Sequence, residues 1–284
     1  MDIWTMIQVY GFRSVFSPEL FICMVFVAVF YLNYRTNSIT RWEKRYFLLG
    51  LFLFYLVLGG PINLMGHFWF SLHMFQQSVL YLVIPPLIYR GIPVEWFKFV
   101  RNNTILNGIF SVIGHPLIAI FLFNGAFSFY HIPFIFDAAM SNYALHNALH
   151  LLLLISAFGL WWPVFSPYCR YALTPLRKMG YIFLNGFLLT PACALIIFAN
   201  ELLYTTYSNS THLLCLPFYY ERVEVLPFTV DWLTPLNDQQ LGGVVMKIIQ
   251  ELSYGSMLGY IFFQWYRSEK EAEEVKLPLL RNET

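Results

Sequence analysis

A helix needs about 20 consecutive, mostly apolar residues to cross a bilayer, and this chain of 284 residues offers seven such stretches. They lie at roughly 16–34, 46–65, 69–89, 106–129, 143–166, 180–202 and 241–266. With 58% hydrophobic against 12% charged residues and a mean hydropathy of +0.57, an ordinary globular domain is excluded. The predicted fold is an all-α membrane bundle of seven transmembrane helices over residues 1–266, followed by a cytoplasmic tail, 267–284.

Lys and Arg near span ends are retained on the cytoplasmic side, and their placement here is one-sided. Arg35, Arg41, Lys44 and Arg45 fall in the first connection, Arg90, Lys98 and Arg101 in the third, and Arg170, Arg177 and Lys178 in the fifth. Arg267, Lys270, Lys276 and Arg281 follow the last span, which places fourteen of the seventeen basic residues on one side. The pattern predicts an outer N-terminus and a cytoplasmic C-terminus. Residues 1–16 lack a basic leader and a small-residue cleavage site, so the first span is expected to be retained. Topology accounts for the basic residues, which leaves no patch for nucleic acid. The four cysteines form no C-x-x-C pair, and Cys215, in the long outer connection 203–240, reads as a lone thiol.

The histidines follow the same asymmetry. Because a helix rises about 1.5 Å per residue, His73 at the start of the third window, His131 at the end of the fourth, and His146 and His150 early in the fifth all arrive at one outer depth. His146 and His150 are four residues apart, on one helical face, which is a ready two-point metal platform. His67, His115 and His212 read as ordinary packed or interfacial histidines. Ionisable groups in hydrocarbon are costly and usually face a cavity or a partner, so four at one level mark a site.

Imidazoles alone suit zinc, copper, iron or nickel, and the neighbouring thioether of Met74 tilts the set toward copper. His73 and Met74 project about 100° apart on a helix, so both reach one site only if it is broad. Met74 packing between helices is the competing reading. Gln77, one turn below His73, and Asp137, Asp238, Gln239 and Gln240 on the same side are the groups expected to hold the imidazoles in orientation. Lys247 and Glu251, four apart inside the last window, are expected to pair. Two other readings stay open: a membrane protein binding haem through two histidines, and a copper or proton transporter. A di-iron hydroxylase would need more histidine boxes than the chain supplies.

The strings "HMFQQSVLYLVIPPLIYRGIP", "YHIPFIFDAAMSNYALHNALHLLLLISAFGLWWPV" and "NDQQLGGVVMKIIQE" occur in order along the chain. In order and spacing they resemble the polytopic CtaG family of cytochrome c oxidase assembly factors. The resemblance runs from "YGFRSVFSPELF" to "FFQWYRSEKE". It implies a non-enzymatic, multi-pass protein of the bacterial plasma membrane that helps mature a haem-copper oxidase, with oxidase subunits and a copper donor protein as partners. It also implies that the family's motif histidines correspond to His73, His131, His146 and His150, and its Asp-Gln-Gln helix entry to Asp238, Gln239 and Gln240. Many members read H-M-x-x-H in the third span, whereas this chain has Gln77 in place of the second histidine.

Overall fold

The computed structural model describes residues 3–34, 39–208 and 233–281, with side chains to 274. His212, Cys215, Arg35 and Arg222 lie outside the described residues, which are helical and contain no strand. In chain order the helices are α1 (Ile3–Tyr10), α2 (Phe12–Phe16), α3 (Pro18–Asn33), α4 (Arg41–Leu58), α5 (Pro61–Gly66), α6 (Phe70–Ser78) and α7 (Ile84–Gly91). There follow α8 (Val94–Asn102), α9 (Thr104–Ile113), α10 (Pro116–Tyr130), α11 (Pro133–Ser141), α12 (Tyr143–Phe165), α13 (Pro175–Ile197) and α14 (Pro235–Arg281).

Among the described residues, three helical stretches are long and apolar enough to cross a membrane by themselves: Phe12–Asn33, Tyr143–Phe165 and Pro175–Ile197. Phe26, Phe183 and Leu195 on them are exposed, as a lipid-facing surface requires. α9 and α10 together make up to a fourth span, bent by 70°. The bend sits where Pro116 opens α10 and Gly114 lies so close to Trp162 that a Cβ would meet its ring at 2.4 Å. The windows at 46–65, 69–89 and 241–266 are also helical, but each is diluted by polar groups. α4 begins with Arg41, Glu43, Lys44 and Arg45, α6 contains Ser71, His73, Gln76 and Gln77, and α14 contains Lys247, Gln250 and Glu251. Lys247 and Glu251 do pair, at 2.6 Å, and Lys247 Nζ also donates to Thr190 Oγ1 of α13.

The third window shows how a membrane helix tolerates two prolines. Pro85 and Pro86 have no N–H for the carbonyls of Tyr81 and Leu82, four residues earlier, and their rings would crowd those carbonyls. Between α6 and α7 the backbone widens into one π-turn, Val79–Val83. The two stranded carbonyls are met from neighbouring helices: Trp161 Nε1 donates to Tyr81 O at 3.4 Å and Ser253 Oγ to Leu82 O at 2.7 Å. The helix therefore runs on through the prolines to Gly91, locked to α12 and α14. Unmet carbonyls in this setting would cost about 2–7 kcal/mol each, so these two bonds stabilise the widened turn.

Around this central helix, α4 packs closely on α7, where a Cβ on Gly91 would meet the Phe47 backbone at 2.5 Å. Tyr31 of α3 stacks on Phe47 at 3.9 Å and donates to Gly91 O at 2.7 Å. The core continues through Phe70, Phe123, Tyr130, Phe136 and Trp161, all fully buried.

A histidine cluster at one end of the bundle

α6 carries His73 and is started by a side chain 168 residues away. Asp238, near the start of α14, accepts from Phe70 N at 2.7 Å and from the backbone and hydroxyl of Ser71. A carboxylate there meets the free N–H groups and the positive end of the helix. One turn on, Gln76 donates to Val57 O and to Asn63 Oδ1, both at 2.7 Å, which ties α6 to the end of α4 and to α5. Tyr207 donates to Gly66 O at 2.9 Å. These bonds fold α5 back over the helix end and deliver His67.

The imidazoles of His67, His73, His146 and His150 gather there. Ring centroids are 4.2 Å apart for His146 and His150, 5.8 Å for His73 and His150, 6.2 Å for His73 and His146, and 6.0 Å for His67 and His146. The i, i+4 spacing on α12 places His146 and His150 together as expected. His67, read from sequence as an ordinary histidine, belongs to the group. Nothing local in "LMGHFW" signals it, because its place depends on α5 turning back.

Two further side chains bind the cluster. Gln77 Nε2 stands 2.8 Å from His73 Nε2 and 3.4 Å from His150 Nε2. The Tyr130 hydroxyl lies 3.3 Å from His73 Nε2 and 3.2 Å from His150 Nε2. An amide NH2 donates, so both imidazoles present an Nε2 lone pair and carry their proton on Nδ1. His150 Nδ1 then donates to the Tyr81 hydroxyl at 3.1 Å. The nitrogens His67 Nδ1 and His146 Nδ1 and the oxygen Gln77 Oε1 are buried without a partner. Burial, reinforced by His146, pushes the His67 imidazole down to about 3.

His131 reaches the same depth but turns elsewhere. Its Nδ1 donates to Phe127 O at 2.8 Å, its ring stacks on Phe127 at 4.2 Å, and it meets the cluster through Tyr130 and Phe136. Its Nε2 is buried and unpartnered. Met74 is fully buried and packs against α14, where a Cβ on Gly242 would lie 3.1 Å from Met74 Cγ. Of the five residues expected to orient the imidazoles, only Gln77 touches one, and Gln240 donates instead to Ala199 O at 2.9 Å. Asp137 instead accepts from the backbone and hydroxyls of Thr205 and Thr206, and Gln239 accepts from Leu203 N at 2.7 Å. Together they clamp the segment whose Tyr204 stacks on Phe70 at 4.8 Å. These residues and Asp238 position backbone rather than rings.

The cluster borders a cleft of about 540 Å³ lined by His67, His146 and His150 with Asn63, Gln76 and Asn147. An Arg13–Glu19 ion pair also lines it. Among the described residues, no group of three or more His, Cys, Asp or Glu side chains stands at distances that would hold a metal ion. The site is therefore a set of imidazoles bonded to an amide and a phenol, with nitrogens available for exchange.

Compared with known proteins, the chain matches no curated protein and no solved structure. The family model for the cytochrome c oxidase caa3 assembly factor (Caa3_CtaG) matches residues 24–268, which include the described histidines and every helix from α4 to α13. The chain belongs to this family of cytochrome c oxidase assembly factors.

Proposed function

We propose that this assembly factor binds copper at the outer face of the bacterial plasma membrane and hands it to a subunit of the oxidase, in a seven-span topology with the C-terminus in the cytoplasm. Copper here is cargo, and the role is not catalytic. The observation that supports the reading is the convergence of His67, His73, His146 and His150 beside the cleft, with two imidazole nitrogens buried and unpartnered. Neutral imidazole is a good ligand for copper, and the family's client enzyme needs that metal. With Met74 turned to Gly242, the cluster offers nitrogen rather than sulfur, and the choice of copper follows from the client.

The arrangement suits delivery rather than storage. Gln77 and Tyr130 already bond the Nε2 lone pairs of His73 and His150. Copper entering at those nitrogens replaces hydrogen bonds, and copper leaving restores them, which lowers net affinity and favours exchange. The one-sided basic residues support the orientation that puts this end outside.

Deleting the gene and assaying oxidase activity with and without added copper tests the role. Loss of activity that copper restores supports delivery. Loss that copper leaves unchanged refutes the copper step, and unchanged activity refutes the assembly role in that host.

A further inference from the structure

At the other end of the same helix stands Arg90, seventeen residues beyond His73 and so about 25 Å away at 1.5 Å per residue. Its guanidinium is held between two rings, 4.1 Å from the Tyr260 centroid and 4.9 Å from that of Tyr46. Among the described residues these rings are its partners, and it stands in no ion pair. A basic residue that serves only to anchor topology extends its head group into water. Here Tyr46 of α4 and Tyr260 of α14 each approach the guanidinium with a ring face, which takes none of its five N–H donors and leaves them for an oxyanion ligand.

Two cavities share Arg90 in their walls. One is a furrow of about 280 Å³ with Val83, Pro86, Leu87 and Met257 in its walls. The other is a hollow of about 300 Å³ with Thr40, Trp42 and Glu43 in its walls. Arg90, Tyr46 and Tyr260 line both, and Arg90 is the only cation in either lining among the described residues. The nearby acid, Glu43, is committed to the cap of α4, where it accepts from Thr40 N at 2.6 Å. Ser253 in the furrow is committed to Leu82 O.

We propose that this is a binding site for a phospholipid of the leaflet opposite the histidine cleft. The guanidinium edge takes the phosphodiester oxygens in a two-point contact, the polar hollow takes the head group, and the furrow takes the first part of an acyl chain. Charge complementarity selects an oxyanion. The apolar furrow joined to the same residue selects one that carries a chain rather than a free ion.

The test is native mass spectrometry of the purified full-length protein titrated with dioctanoyl phosphatidylglycerol, dioctanoylglycerol or inorganic phosphate. The phospholipid is expected to bind, with the other two at least roughly tenfold weaker, because each lacks either the charged contact or the chain. R90Q is expected to lose the phospholipid by a similar factor while copper uptake is unchanged, so the outcome is separate from that of the copper proposal. R90K, which keeps the charge but not the planar fork, should fall between the two and serves if R90Q does not fold. Equal binding of phosphatidylglycerol by wild type and either variant overturns the proposal, as does phosphate or dioctanoylglycerol binding as tightly as the phospholipid.

Discussion

The Gln77 side-chain amide lies 2.8 Å from His73 Nε2, on the same face of α6 and one turn along. Gln77 is therefore in the middle of the site, where its amide bonds His73 and, at 3.4 Å, His150. Q77H puts an imidazole in contact with both, and is expected to tighten copper binding about tenfold or more, while Q77A is expected to weaken it by about tenfold through loss of ring orientation. Competition against a Cu(I) chelator reads both. If the two variants shift affinity in the same direction, the orienting role assigned to Gln77 is wrong.

Asp238 is placed to stabilise the helix that carries His73 rather than to touch a ligand. D238A should destabilise the protein by about 1–2 kcal/mol, the range for loss of a strong helix cap, and D238N should recover part of that because it keeps one acceptor. Thermal unfolding in detergent measures it. A D238A protein as stable as wild type would mean that the contacts to Phe70 and Ser71 contribute nothing net.

How much of this was legible beforehand differs by feature. The helical windows were, since each is a run of apolar residues, and so was the pairing of His146 with His150, because i, i+4 fixes both depth and direction on α12. Depth alone was legible for His131, whose imidazole lies back along α10 on Phe127, four residues earlier, rather than on the other histidines. His67 and Tyr130 were hidden because tertiary bonds place them, those of Gln76 and Tyr207 in the first case. The prolines announced a distortion of the third window, but continuation of the helix depended on donors from Trp161 and Ser253, which no local pattern reveals.

Those donors give a coupled prediction. S253A should cost about 2–3 kcal/mol by leaving Leu82 O unmet. In a P86A background the restored N–H at position 86 can satisfy the same carbonyl, so S253A should there cost much less. A double-mutant cycle on unfolding free energy checks this, and additivity of the two substitutions would refute the claim that Ser253 replaces the bond that Pro86 cannot make.

His67 sets a direction for pH. Folded, it stays neutral down to about 3 because burial and His146 disfavour its charged form, whereas unfolded it takes up a proton near its ordinary ~6.5. The unfolded state therefore binds the extra proton between those values. Stability is at its full value above about 6.5 and falls as pH drops below it. H67Q removes that proton uptake, so its melting temperature should decline less between pH 7 and pH 4 than that of wild type. Parallel curves would show that His67 is not held neutral in the folded protein.

The central claim, that the imidazole cluster carries copper, is tested most directly by measuring copper bound per protein after dialysis, for wild type and for a variant with His67, His73, His146 and His150 replaced by Ala. The expected result is stoichiometric copper in wild type and none above background in the variant, with both proteins monodisperse and helical. Equal copper in the two, or none in either, would contradict it.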